Sequence, residues 1–197
     1  MLKHSIILVV YNNLELTKKC IDSLIKYSNQ DDLELIITDN ASTDGTAEYL
    51  KEIPIKNKVI ITNTKNKWFI RPVNKAVRVS TGEYITLIGN DTEMCEGWLE
   101  KLTEPFKANP KLGLVGISGE CRTLTGYGTG YNGSRLDYID GTFLTIPRQI
   151  YEDIALDIKG NKCLFDEDTF VNAYCEDADL SLRVTEARLA RASLFPP

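Results

Sequence analysis

Ile6-Ile7-Leu8-Val9-Val10 is an unbroken run of aliphatic, mostly β-branched residues with no polar alternation. A run of this kind suits a strand covered on both faces, as in a parallel sheet between helical layers. Leu33 to Thr38 and Tyr84 to Ile88 repeat the pattern, and Val59-Ile60-Ile61 is a shorter version. Between the runs the period changes. Leu14, Thr17, Cys20, Ile21, Leu24 and Ile25 recur at helical spacing, with Asn12 and Asn13 offering a cap. Further helices are predicted from Thr46 through Leu50 and over Val73 to Val79. Strands and helices alternating at this pace predict an α/β fold of βαβ units, with a mainly parallel central sheet flanked by helices.

In such a sheet, ligands bind beyond the carboxyl ends of the strands. The polar residues fall there: Tyr11-Asn12 after the first run, Asp39 after the second and Asn90-Asp91 after the fourth. Beyond residue 95 a helix is predicted over Trp98 to Phe106, with strands over Leu114 to Ile117 and Phe143 to Ile146. Pro147 opens a helix toward Ile154. Residues 122–138 are rich in Gly, Thr, Tyr and Asn without periodicity; loops that long in compact domains are functional or mobile. Gly126 to Gly133 is read either as a lid over a site or as a mobile surface loop. Glu176-Asp177-Ala178-Asp179 precedes Leu180, Leu182 and Val184, so the acids sit at a helix start, where the dipole favours negative charge.

A chain of 197 residues suits one domain. The formal charge of -5 argues against a nucleic-acid partner, and the basic stretch Lys56 to Lys67 reads as solvated surface. No apolar run approaches the roughly 20 residues of a membrane span, and the start is too soon polar for a signal peptide. Five cysteines (Cys20, Cys95, Cys121, Cys163, Cys175) show no C-x-x-C pair and read as free thiols of a reducing compartment. Cytoplasmic location is the expectation, with peripheral contact at the inner membrane face as its extension. With one histidine, His4, any metal rests on carboxylates, which points to Mg²⁺ or Mn²⁺.

Three acidic sites can carry chemistry, and each has a plainer reading beside it. Asp91 can hold a hard cation against a diphosphate, or cap a turn. Asp39 can accept hydrogen bonds from a base or ribose, or form the turn with Asn40 and Ser42. Glu176-Asp177 can supply a general base whose pKa rises through burial and neighbouring charge, or cap a helix. Asp44-Gly45 reads as turn chemistry alone. Gly-x-Gly-x-x-Gly and Gly-Lys-Ser/Thr loops are absent from the sequence, so dinucleotide dehydrogenases and P-loop NTPases lose most of their support, and no Ser or Cys sits in a nucleophile-elbow sequence.

Taken in order, these stretches resemble family 2 glycosyltransferases of the GT-A fold. Ser5 to Asn12 looks like the family's opening strand, and Asp39-Asn40-Ala41-Ser42-Thr43-Asp44-Gly45-Thr46 resembles its D-N-x-S-x-D-G-T stretch. Gly82 to Thr92 resembles the strand ending in a D-x-D-type metal motif. Phe165-Asp166-Glu167 with Glu176-Asp177-Ala178-Asp179-Leu180-Ser181-Leu182-Arg183 resembles the F-D-E…E-D-x-D-L-S-x-R block. The likeness covers residues 5–186. It implies an inverting, metal-dependent transfer of a hexose-type sugar from a UDP- or dTDP-sugar to a carbohydrate or lipid-linked acceptor, in surface polysaccharide or glycoconjugate synthesis. It implies a donor site of Val10, Tyr11, Asn12, Asp39, Arg71, Asn74, Asn90, Asp91, Asp140 and Gly141, with Asp91 on the metal. Tyr11 would pack on the base and Asp39 hydrogen-bond it. Asp177, beside Glu176, would be the catalytic base. It also divides the single domain into a nucleotide-binding half (1–95), an acceptor-side half (96–186) and a short, atypical or truncated tail (187–197).

Departures accompany the likeness. The family's N-x-G-F-x-x-A-x-N-x-G segment reads Asn66-Lys67-Trp68-Phe69-Ile70-Arg71-Pro72-Val73-Asn74-Lys75-Ala76 here, with both glycines replaced. Trp68 and Pro72 reshape the wall beside the nucleotide. The metal motif offers Asn90-Asp91 in place of two aspartates. Beyond Arg183 the family's further glycine, strand and histidine are not recognisable. Two alternatives follow: a non-catalytic nucleotide-sugar-binding module, and a nucleotidyltransferase, which would want a glycine-rich basic loop where Tyr11-Asn12-Asn13 stands.

Overall fold

The computed structural model describes residues 3–118, 138–172, 174–187 and 190–193. Strand β1 (His4–Val10) lies inside the sheet, parallel to β2 (Leu33–Asp39) on one side and β4 (Tyr84–Ile88) on the other, with β3 (Lys58–Thr62) beyond β2. Helix α1 (Leu14–Tyr27) joins β1 to β2 and α2 (Thr46–Glu52) joins β2 to β3; α3 (Ile70–Val79) then returns the chain to β4. With β5 (Leu112–Ser118), β6 (Ile139–Pro147) and β9 (Ala190–Ser193), the sheet runs β3-β2-β1-β4-β6-β5-β9. The direction of growth therefore reverses between β1 and β4, the switch point at which such sheets open a crevice.

Alternation along the buried strands divides the core into two layers. Ile6, Leu8, Val10, Leu33, Leu35 and Ile37 pack with Cys20, Ile21 and Leu24 of α1, Leu50 of α2, and Trp98, Leu102 and Phe106 of α4 (Trp98–Ala108). Ile7, Ile36, Ile85 and Leu87 pack with Ile70, Val73 and Val77 of α3, Tyr151 of α5 (Arg148–Ile154), and Leu180 and Val184 of α6 (Glu176–Glu186). Helices on both faces explain why the strands read as continuous apolar runs. Helix α3 begins at Ile70, three residues before the predicted start. Pro72 falls in its first turn, where a missing N–H costs nothing.

The sheet is not parallel throughout. Strand β6 (Ile139–Pro147) runs antiparallel to β4 and to β5 (Leu112–Ser118). Residues 190–193 form β9, parallel to β5, so the tail supplies a strand where none was recognised from sequence. A two-stranded hairpin of β7 (Leu156–Ile158) and β8 (Asn161–Cys163) also went unread, because three polar-flanked residues carry no measurable period. Cys121 and the stretch 122–138, except Tyr138, lie outside the described residues. Among the described residues, no helix is long and apolar enough to cross a membrane.

Candidate active site

The loops after β1 and β2 are tied to each other by the D-N-A-S-T-D-G-T stretch. Asn12 N–H donates to Ser42 Oγ at 2.9 Å, and Asn12 Oδ1 accepts from Thr43 N–H at 2.8 Å. Asp39, 1% exposed, accepts from Ser42 N–H at 3.0 Å. Asp44 accepts from Leu14 N–H at 2.9 Å and from Thr46 N–H at 3.2 Å, so one carboxylate caps both α1 and α2. The expected cap from Asn12 or Asn13 is not made: Asn13 is the N-cap residue, its φ of 60° is left-handed, and its side chain makes no capping bond.

Beyond these strand ends lies an open cavity of about 250 Å³ lined by Val9, Tyr11, Asn40, Asn66, Trp68, Phe69, Asn90 and Asn172. Of the sequence-predicted residues, Tyr11 and Asn90 are on its wall. Asp39 is buried at the end of β2, next to lining residue Asn40. Val10 is fully buried, and its carbonyl accepts from Asn40 N–H at 2.9 Å; its neighbour Val9 reaches the cavity instead. Asn74 is also fully buried and bonded to Phe165 and Glu167, off the cavity wall. Arg71 is exposed on the first turn of α3 and likewise off the wall. Asp91 follows Asn90 as an exposed carboxylate.

Asn40 was missed as a lining residue, although it stands beside Asp39 in the same turn. Its Nδ2 donates to the Trp68 carbonyl at 2.6 Å, while its Oδ1 accepts from Asn63 Nδ2 at 2.9 Å and Lys67 N–H at 3.1 Å. Asn66 heads the Asn66-to-Ala76 segment but was given no role there, and Asn172 carried no signal in a single sequence. Trp68 has φ 61° and is 58% exposed. For a bulky side chain that backbone costs roughly 1 kcal/mol or more.

A second polar cluster adjoins the first through Phe69. A methyl group on Gly141 would lie 3.7 Å from Phe69 Cε1 and 3.4 Å from Asp177 Cβ. Because β6 runs antiparallel to β4, its first residues pass the carboxyl end of β4, which brings Asp140-Gly141 to this edge. Helix α6 docks there by two bonds one turn apart: Gly141 N–H donates to Asp177 Oδ2 at 3.3 Å and Ile139 N–H to Ser181 Oγ at 3.0 Å. Asp177 Oδ1 accepts from Ala178 N–H at 2.8 Å. Burial pushes the Asp177 carboxyl above its ordinary pKa and the Asp140 charge adds to that, against the opposing Gly141 and Ala178 N–H groups. Glu176 is 5% exposed, and its Oε2 has no partner among the described residues; burial, then the charges of Asp177 and Asp140, raise its pKa as well. The Cys20 thiol, pushed up to about 12 by burial and by Asp91 and Glu93, is no nucleophile.

The model of the family described as Glycosyl transferase family 2 matches residues 5–162. The chain belongs to glycosyl transferase family 2. Among curated relatives of this family-2 chain, the poly(ribitol-phosphate) beta-glucosyltransferase of Bacillus spizizenii is 35% identical over 94 residues, which are 46% of this chain and 15% of that one. Glycosyltransferase GlyG of Streptococcus pneumoniae is 28% identical over 100 residues, 50% of this chain and 33% of that one. The mannosyltransferase PcManGT from Pyrobaculum calidifontis, solved in complex with GDP-Man and Mn²⁺, superposes with a TM-score of 0.72 at 18% identity, covering 97% of this chain and 54% of that chain. S. aureus TarS in complex with UDP-GlcNAc gives 0.68 at 16%, covering 93% and 53%. These structures are GT-A glycosyltransferases, and the fold of this family-2 chain is theirs. The chain thus spans a third or less of these two curated relatives and about half of the solved ones.

Proposed function

We propose that this chain carries the donor site and the general base of an inverting glycosyltransferase that takes its sugar from a nucleoside-diphosphate sugar. One observation carries the reading: Phe69 lines a cavity at the switch point and also stands against Gly141, whose neighbours include the half-buried carboxylate Asp177, with its raised pKa. The cavity, with Tyr11 and Trp68 on its wall, suits a base and ribose. The Asp177 side suits an acceptor hydroxyl.

In this reading the nucleotide lies over the ends of β1, β2 and β4, and the donor sugar points toward Gly141. Asp177 takes the proton of the acceptor O–H. The acceptor oxygen forms its bond to the anomeric carbon as the bond from that carbon to the diphosphate oxygen breaks. The electron pair leaves on the nucleoside diphosphate, and direct displacement inverts the anomeric centre. A carboxylate with a raised pKa is a better proton acceptor than an ordinary aspartate, provided it is ionised at working pH.

Metal dependence is supported by what the cavity lacks. Among the described residues the cavity lining carries no lysine or arginine, and a divalent cation would balance the diphosphate charge there. Asp91, exposed beside Asn90, offers hard oxygen donors of the kind Mg²⁺ or Mn²⁺ takes when held partly by substrate phosphates. No group of three or more His, Cys, Asp or Glu side chains converges among the described residues, so Asp91 would hold the cation largely through the diphosphate. A bound cation would supply Lewis-acid stabilisation of the leaving group. UDP or dTDP is the proposed nucleotide, a carbohydrate or lipid-linked molecule the acceptor, and the cytoplasm the setting. The likeness to a poly(ribitol-phosphate) glucosyltransferase supports a role in surface polymer synthesis.

Calorimetric titration with UDP, dTDP and GDP, each with and without Mn²⁺, tests the reading on the unaltered chain and Asp91→Ala. Metal-dependent binding of one nucleotide, lost in Asp91→Ala, is the expected result. Binding of none of the three by the unaltered chain would overturn it.

A further inference from the structure

Trp68 holds an exposed indole on a backbone that favours glycine, and the surrounding structure enforces that conformation. Asn66 Oδ1 accepts from Trp68 N–H at 2.7 Å, and Asn40 Nδ2 donates to the Trp68 carbonyl at 2.6 Å. Asn40 is 2% exposed and is itself fixed by Asn63 and Lys67. Two amides therefore clamp a φ of 61°, while the ring they present stays 58% exposed and joins neither core layer. Strain that the surroundings over-determine is a mark of a working position. Trp68 lines the same cavity as Tyr11, which is 47% exposed.

We propose that Trp68 is a base-binding residue, giving the nucleobase of the donor a second aromatic stacking face besides that of Tyr11. The inference rests on the donor-site reading above and extends it to a residue the family likeness does not assign. Planar π-faces with amide groups around them match a heterocyclic base, whose rings stack and whose edges hydrogen-bond. Stacking on an indole is tolerant of base identity because every base has a π-face. Trp68 therefore contributes affinity for the nucleotide, while edge contacts choose the base.

The chain contains its own probe. Its other tryptophan, Trp98, is 5% exposed and donates Nε1–H to Ser28 Oγ at 2.9 Å, away from the cavity. Titrating the full chain with UDP, dTDP and GDP in the presence of Mn²⁺, while following indole emission, should quench Trp68 with the nucleotide that binds and leave Trp98 unchanged. Trp68→Phe should abolish the quench and keep part of the affinity. Trp68→Gly should raise the nucleotide Kd at least about ten-fold without lowering the melting temperature, since glycine takes this φ freely. Unchanged affinity in Trp68→Gly would overturn this inference and leave the donor-site reading standing. Failure of the unaltered chain to bind UDP, dTDP or GDP would overturn both.

Discussion

Asn74 and Phe165 bond to each other in both directions: Asn74 Nδ2 donates to the Phe165 carbonyl at 2.9 Å, and Phe165 N–H donates to Asn74 Oδ1 at 3.0 Å. Asn74 is fully buried on α3, and Phe165 is a core residue. The clasp fixes α3 to the segment that leads toward α6, and so sets the Trp68 side of the cavity against the Asp177 side. Asn74→Ala leaves a buried carbonyl and a buried N–H without partners. The expected cost is roughly 2–4 kcal/mol of stability, about 1–3 kcal/mol for each group less whatever relaxation recovers. Urea unfolding measures it. A variant of unchanged stability with weakened nucleotide binding would show that Asn74 contacts the ligand instead.

Asp177→Asn keeps the shape of the side chain and removes its basicity. Turnover should fall roughly 10²- to 10⁴-fold with the nucleotide Kd unchanged. The acid limb of the rate profile should report the proton on Asp177 and lie above the ordinary aspartate value of 3.8, because burial raises that pKa. The Asp140 charge disfavours ionisation of Asp177, so Asp140→Asn should move the limb to lower pH. A limb that moves to higher pH in Asp140→Asn, or turnover that survives Asp177→Asn, would remove Asp177 from the base's role.

The strands were legible because burial on both faces writes itself as unbroken apolar runs, and Tyr84 to Ile88 matches β4 residue for residue. Direction was not legible: Phe143 to Ile146 reads the same whichever way β6 runs, yet its antiparallel course is what delivers Gly141 to Asp177. Tyr11 and Asn90 were found on the cavity because strand ends point there. Val10 and Asn74 were assigned to the donor through likeness, and burial instead engages the Val10 carbonyl and both Asn74 amide atoms inside the fold. The acidic block behaves similarly. Asp179 holds Arg183 at 2.9 Å, and Arg183 in turn donates to the carbonyls of Ile154 and Leu164, so much of that motif builds the platform on which Asp177 stands. Asn172 reaches the cavity from a loop with no period to read.

Asp44 is exposed, yet it caps two helices. Its pKa is lowered chiefly by the Thr46 hydroxyl, which donates to Oδ1 at 2.6 Å, with the Leu14 and Thr46 N–H groups assisting. Losing one N-cap typically costs about 1 kcal/mol, so Asp44→Ala should cost roughly 1–2 kcal/mol. The same change frees the loop that carries Asn12 beside Tyr11, so nucleotide affinity should weaken along with stability. Asp44→Asn, which keeps an oxygen acceptor, should recover most of both. Equal losses in the two variants would mean that charge, rather than capping geometry, matters here.

His4, at the end of β1 opposite the cavity, makes the fold sensitive to acid. It is 3% exposed, stacks on Tyr84 with ring centroids 5.8 Å apart, and its Nδ1 has no partner among the described residues. Burial, then the Lys3 charge, lowers its pKa from 6.5 to about 4, while Asp32 and Glu100 act the other way. The unfolded chain therefore takes up a proton near pH 6.5 that the folded chain refuses until about pH 4. Stability from this group is complete above pH 6.5 and is lost as pH falls through that window, by no more than about 3 kcal/mol. The raised pKa values of Glu176 and Asp177 act in the reverse sense, favouring the folded state as pH falls. Urea midpoints at pH 7.5, 5.5 and 4.5, for the unaltered chain and for His4→Phe, which keeps a ring against Tyr84, separate the two effects. The unaltered chain should lose stability across the window, and the variant should hold level or gain. Parallel profiles in both proteins would assign the acid sensitivity to other groups.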